Sequence, residues 1–86
     1  MKKYKTIVMY STSWCPDCKR SKLWFNEHNI PYKEINIEED EAAMEYVIKV
    51  NNGKQIIPTI VCPNGEILSE PTNSELEKKI ATRYSA

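Results

Sequence analysis

Apolar positions along this chain switch between strand-like and helix-like spacing, and the order of those switches predicts its elements. Residues 5–10 (Lys5-Thr6-Ile7-Val8-Met9-Tyr10) form an almost unbroken β-branched or apolar run, the pattern of a central strand covered on both faces. From Pro16 the spacing turns helical: Cys18, Ser21, Phe25 and His28 share one face, with Trp24 at its border and Leu23 opposite. Pro16 suits the first helical position because its missing N–H costs little there. Asn29 tolerates the left-handed conformation and should end the helix just before Pro31. Residues 32–37 read as a second strand. Ala43, Met44, Val47, Ile48 and Val50 give a second helix a broad apolar face, and Asn51-Asn52-Gly53 stops it. The acidic run Glu38-Glu39-Asp40-Glu41 ahead of that helix reads as a solvated cap at the positive end of its dipole rather than a metal site. A third strand is expected from Pro58 to Cys62, then a tight Pro63-Asn64-Gly65-Glu66 hairpin and a short fourth strand at Ile67-Leu68. Thr72-x-x-Glu75 is a capping box for a last helix that buries Leu76, Ile80 and Tyr84.

The predicted order is therefore βαβαββα. A βαβ unit needs a right-handed crossover, so the first two strands should be parallel, while the hairpin makes the last two antiparallel. One mixed four-stranded sheet with helices on both faces is the simplest closure, an α/β class with thioredoxin-like architecture. With 86 residues the chain is expected to be a single domain over 1–86, long enough to bury about 60% of its unfolded surface without staples. Twelve basic and twelve acidic side chains leave no net charge, so neither nucleic acid nor a membrane surface is an expected partner. Met1-Lys2-Lys3 resembles the basic end of a signal peptide, but the apolar stretch behind it is too short for one and none is long enough to span a bilayer. An odd cysteine count of three fits a reducing cytoplasm.

In that setting Cys15-Pro16-Asp17-Cys18 carries the chemistry. A Cys-x-x-Cys pair in a cytoplasmic βαβ context reads as catalytic or metal-binding rather than structural. At a helix start the Cys15 thiolate would face unpaired N–H groups, which should bring its pKa below the free value of ~8.5. The expectation is an exposed Cys15 that attacks a disulfide and a sheltered Cys18, one turn on, that resolves it. Asp17 opposes the thiolate, whereas Lys19 and Arg20 offset Asp17 from the same turn. Zinc would need four ligands, and the soft candidates are Cys15, Cys18, Cys62 and His28. His28 lies roughly 15 Å along the helix from Cys18, so the four cannot share one ion and no metal is expected. His28 is read as a half-buried helix-end residue and Cys62 as an inert small hydrophobe.

Tyr10-Ser11-Thr12-Ser13-Trp14-Cys15-Pro16-Asp17-Cys18 after a first strand, Asn29-Ile30-Pro31-Tyr32, and Ile57-Pro58-Thr59 at the third strand together resemble the glutaredoxin branch of the thioredoxin superfamily. Within it the chain looks most like the mycoredoxin-like and ribonucleotide-reductase-associated redoxins. The resemblance implies a monomeric disulfide oxidoreductase with a redox-active Cys15–Cys18 pair and no tightly bound cofactor. Its substrates would be disulfide-bearing proteins, and its reductant mycothiol, glutathione or a thioredoxin reductase. It also implies a cis Ile57–Pro58 bond beside the cysteines, with the Ile57 backbone offered to an extended substrate. Trp14 would wall the sulfur, with Pro16 and Asp17 beside it, and Thr72 and Asn73 would meet the carboxylate of a small thiol. Two departures stand out. Thr12 and Ser13 occupy a stretch where glutathione-using relatives carry a base, and Ser69-Glu70-Pro71 stands where those relatives have a glycine pair. A carrier of an iron–sulfur cluster, without turnover, is the alternative from a different class; Cys18 and Pro16 argue against it.

Overall fold

The computed structural model describes residues 6–81, so Lys5 at the predicted start of the first strand and Tyr84 on the last helix lie outside the described residues. The element order is β1 (Ile7–Ser11), α1 (Pro16–Glu27), β2 (Tyr32–Asn36), α2 (Glu41–Val50), β3 (Thr59–Val61), β4 (Ile67–Ser69) and α3 (Asn73–Leu76). The last helix continues as a π-helical turn over Glu77–Ala81. The strands form one sheet in the order β2-β1-β3-β4. β1 runs parallel to β2 and antiparallel to β3, and β3 is antiparallel to β4.

Alternation along β1 sends its residues to two cores. Ile7 and Met9 join Trp24 and Phe25 of α1, Ile60 and Cys62 of the β3 region, and Leu76 and Ile80 of the last helix. Tyr10, from the other face, packs with Ile35 and Ile57 against Ala43 and Val47 of α2. Trp24, expected at the border of the apolar face of α1, is fully inside it, whereas Leu23 is exposed as expected. The reason is a run of ring contacts: Trp24 meets Phe25 edge-on at 5.4 Å and stacks on His28 at 4.1 Å, and Phe25 stacks on Tyr32 at 4.8 Å.

Both long helices end through asparagine. Asn29 has φ +55°, and the N–H groups of Asn29 and Ile30 close back on the carbonyls of Asn26 and Phe25, a Schellman ending. After α2 the left-handed turn begins at Asn52 (φ +59°), and the Gly53 N–H returns to the Ile48 carbonyl at 2.8 Å. The hairpin between β3 and β4 forms as expected, but Asn64 is not left-handed. Gly65 is (φ +92°), and its N–H bonds the Cys62 carbonyl while Cys62 N–H reaches the Glu66 carbonyl. That is a three-residue loop with a glycine bulge, which suits Pro63 at the turn's second position. Thr72 caps α3 with both bonds of the capping box. None of the described helices is long and apolar enough to cross a membrane.

Candidate active site at the start of the first helix

The cysteine pair sits where β1 ends and α1 begins. Cys15 is the N-cap residue, extended at φ −87° and ψ 111°, and Pro16 follows as the first helical residue. An N-cap normally supplies a side-chain oxygen to an orphan amide; here Cys15 Sγ takes that place and accepts the Cys18 N–H at 3.0 Å. The two cysteines are joined as a disulfide, with their Cα atoms 5.2 Å apart. Cys18 is 1% exposed, as expected of the sheltered partner. Cys15 is not open as expected: it is 4% exposed, because in the bonded state its sulfur turns toward Cys18 and the start of the helix. It keeps one edge on a cleft.

That cleft, of about 350 Å³, is lined by Trp14, Cys15, Pro16, Asp17, Gln55, Ile56, Ile57 and Glu70. The structure thus brings Trp14, Pro16, Asp17 and Ile57 together around Cys15. The Ile57–Pro58 bond is cis, and Pro58 is buried behind the cleft wall, its carbonyl accepting the Glu70 N–H at 2.8 Å. Thr72 and Asn73 are not part of the lining. Thr72 Oγ1 and N–H are both used by Glu75, and Asn73 Oδ1 accepts from Arg20 at 2.8 Å. Arg20 also reaches the Pro71 carbonyl at 3.2 Å and Asp17 at 3.4 Å, so it ties the start of α1 to the start of α3. As expected, it stands against Asp17, though this partly exposed pair is worth little on its own.

Glu38 and Glu70 are site residues that the sequence did not reveal. Glu70 is in the left-handed region at φ +51°, a conformation unusual for a residue with a Cβ, and it lines the cleft. Glu38 corrects the reading of the acidic run as a solvated cap. Asp40 does cap α2, accepting the Ala43 N–H at 3.0 Å. Glu38 instead reaches across to the turn before the cysteines. Its carboxylate accepts the N–H and hydroxyl of Ser13 at 3.3 and 3.1 Å and the indole N–H of Trp14 at 2.8 Å. Only the pairing of β1 with β2, some 25 residues apart in sequence, creates this contact.

The same bonds, led by that from the Ser13 amide and followed by the Trp14 indole, hold the Glu38 carboxyl below its ordinary pKa of 4.5. A lowered folded-state value means that the interaction is fully present above 4.5 and is lost as pH falls through the lower value. In an acid titration the Trp14 indole N–H resonance should therefore shift with a midpoint below 4.5. A midpoint at or above that value would contradict the contact. Among the described residues, no three His, Cys, Asp or Glu side chains gather as a metal site.

Known proteins resemble both the sequence and this geometry. The glutaredoxin family model matches residues 7–68. Mycoredoxin 1 of Corynebacterium glutamicum is 34% identical over 74 residues, covering 86% of this chain and 91% of that protein. The glutaredoxin-like protein NrdH of Lactococcus lactis subsp. cremoris is 41% identical over 44 residues, 51% of this chain and 61% of that one. The crystal structure of a glutaredoxin from Archaeoglobus fulgidus shares the fold, with a TM-score of 0.74 at 24% identity over 87% of this chain and 85% of that chain.

Proposed function

The chain belongs to the glutaredoxin family and is a thiol–disulfide oxidoreductase, and we propose that Cys15 attacks, Cys18 resolves, and an uncharged small thiol of the mycothiol kind is the reductant. Enzymes of this family act on disulfide substrates with a small thiol as reductant. The observation that carries the assignment of roles is the helix-start position of Cys15, whose sulfur already accepts the Cys18 amide. Once the pair is reduced, that amide and the dipole favour the Cys15 thiolate over the thiol. The thiolate attacks one sulfur of the substrate disulfide, and the other leaves as a thiolate and takes a proton. Cys18 then gives up its proton and attacks Cys15 Sγ, releasing the second substrate thiol and closing the Cys15–Cys18 bond. Two electrons and two protons pass to the substrate. Two small-thiol molecules return them and leave as a disulfide.

Charge supports the choice of thiol. The ionisable side chains lining the cleft beside Cys15 are Asp17 and Glu70, both acidic. Glutathione brings two carboxylates of its own, whereas mycothiol has none. At the left-handed position next to the cleft, a glutamate side chain stands where open backbone would admit a ligand closely. Pro16, Trp14 and Ile57 supply further walls for a substrate segment, with Pro58 buried next to Ile57, in a monomeric single domain over 1–86 working in the reducing cytoplasm.

NADPH oxidation tests the reading in three parallel reactions with a mixed-disulfide substrate. One contains mycothiol and its reductase, one glutathione and its reductase, one thioredoxin reductase alone. The mycothiol reaction should be the fastest, with its lead over glutathione shrinking as salt shortens the Debye length from ~10 Å at 0.1 M. Equal or faster turnover with glutathione would overturn the assignment, and turnover with thioredoxin reductase alone would make the protein a direct electron donor.

A further inference from the structure

Trp14 is 60% exposed, yet it is not a free side chain. Its indole N–H is bound by Glu38 at 2.8 Å while its ring lines the cleft beside Cys15. Register explains how Glu38 arrives there. Ser11 pairs with Asn36 at the ends of parallel β1 and β2, and the Ile37 N–H extends that ladder to the Ser11 carbonyl at 2.9 Å. Two residues beyond the end of each strand stand Ser13 and Glu38. The Glu38 backbone is itself fixed, because Asn36 Oδ1 accepts its N–H at 2.9 Å in an Asx turn, and the Glu39 N–H closes on the Asn36 carbonyl. One carboxylate on a held backbone thus accepts three bonds from the two residues just before Cys15.

We propose that Glu38 is a positioning residue of the redox site, holding the Trp14 ring as a fixed wall of the cleft so that a substrate disulfide meets Cys15 already oriented. An exposed indole without such a partner samples several rotamers, and each substrate encounter must then order it, at a cost in binding. Glutamate fits the task because a carboxylate is acceptor-only and can take all three donors at once. An amide at 38 could still accept from Ser13, but its NH₂ group would face the indole N–H with a donor.

The inference rests on Cys15 being the attacking thiol, so its test combines a catalytic readout with one that needs no turnover. Glu38→Gln, Glu38→Ala and Trp14→Phe are compared, together with the two double variants. The Trp14 indole N–H is followed by NMR; Trp24, buried in the core, serves as the internal reference for folding. Both Glu38 variants should speed Trp14 indole hydrogen exchange severalfold while leaving the Trp24 signal in place. For a peptide mixed disulfide, KM should rise about 5- to 10-fold in Glu38→Ala with kcat within twofold, and Glu38→Gln should fall between it and wild type. In the Trp14→Phe background, which has no indole N–H, either Glu38 substitution should change kcat/KM by less than twofold. Penalties at 38 and 14 that multiply, or an unchanged Trp14 signal in Glu38→Ala, would overturn the proposal. Exchange retained at the wild-type rate in a parallel Cys15→Ser sample, with the Trp14 signal responding as expected in the Glu38 variants, would instead count against the assignment of Cys15.

Discussion

Cys15→Ser is expected to abolish thiol–disulfide exchange, with turnover down by on the order of 10³-fold or more, the scale seen when a nucleophile that acts as part of a unit is removed. A serine hydroxyl can still accept the residue-18 amide as an ordinary N-cap, so the fold and the helix should survive. Loss of activity without loss of stability separates chemistry from structure at this position. Cys18→Ser should behave differently. The first attack needs only Cys15, so reduction of a mixed disulfide by a small thiol should persist, while reduction of protein disulfides that requires closure of the Cys15–Cys18 bond should fall away. Parallel assays with one substrate of each kind, on both variants, give the comparison. Equal activity of wild type and Cys15→Ser would sink the mechanism.

That the cysteines could be found in the sequence follows from local physics. Pro16 behind an N-cap position, Asn29 before Pro31, and Thr72-x-x-Glu75 are signals set within one turn of backbone, and each element boundary they imply is observed. The two cores follow from period-two alternation in β1 and from the apolar stripes of α1 and α2, which need no long-range information. Glu38 was hidden for the opposite reason. In sequence it is one of four consecutive acids before a helix, chemically indistinguishable from Glu39 or Glu41. Only the parallel pairing of two strands decides which of the four faces Ser13 and Trp14. Glu70 was hidden because a left-handed position is normally announced by glycine or asparagine, and here a glutamate adopts it with its N–H donating to the Pro58 carbonyl. The burial of Cys15 is likewise a property of the bonded pair, which a linear count of helix faces does not contain.

Asn51 is the third such residue, and its replacement should have the largest effect on stability outside the apolar core. The sequence marks it as the stop of α2, but the structure buries it, 7% exposed, between that helix and the sheet. Its Nδ2 donates to the Val47 carbonyl at 2.8 Å and to Thr59 Oγ1 at 3.1 Å, while its Oδ1 accepts from Ser69 Oγ. Thr59 Oγ1 in turn donates to the Ile56 carbonyl at 2.7 Å. One amide therefore joins α2, β3 and β4 and, through Thr59, pins the Ile56-Ile57 wall of the cleft. Asn51→Ala removes three side-chain bonds: the Val47 carbonyl keeps the residue-51 N–H at 3.2 Å, the buried Thr59 hydroxyl keeps Ile56, and the exposed Ser69 hydroxyl loses its acceptor. At roughly 0.5–1.5 kcal/mol for each of these hydrogen bonds, a net loss of about 2–4 kcal/mol is expected. In a domain of this size that lowers Tm by roughly 10–20 °C. Asn51→Asp should fare no better, since a carboxylate cannot donate to Val47 and brings a buried charge. Because the network ends at the cleft wall, the surviving folded fraction of Asn51→Ala should also show a raised KM for peptide disulfides. Thermal unfolding and KM measured on the same sample provide the check. A Tm within a few degrees of wild type would mean that water replaces the amide without penalty and that the wall is held by the chain alone.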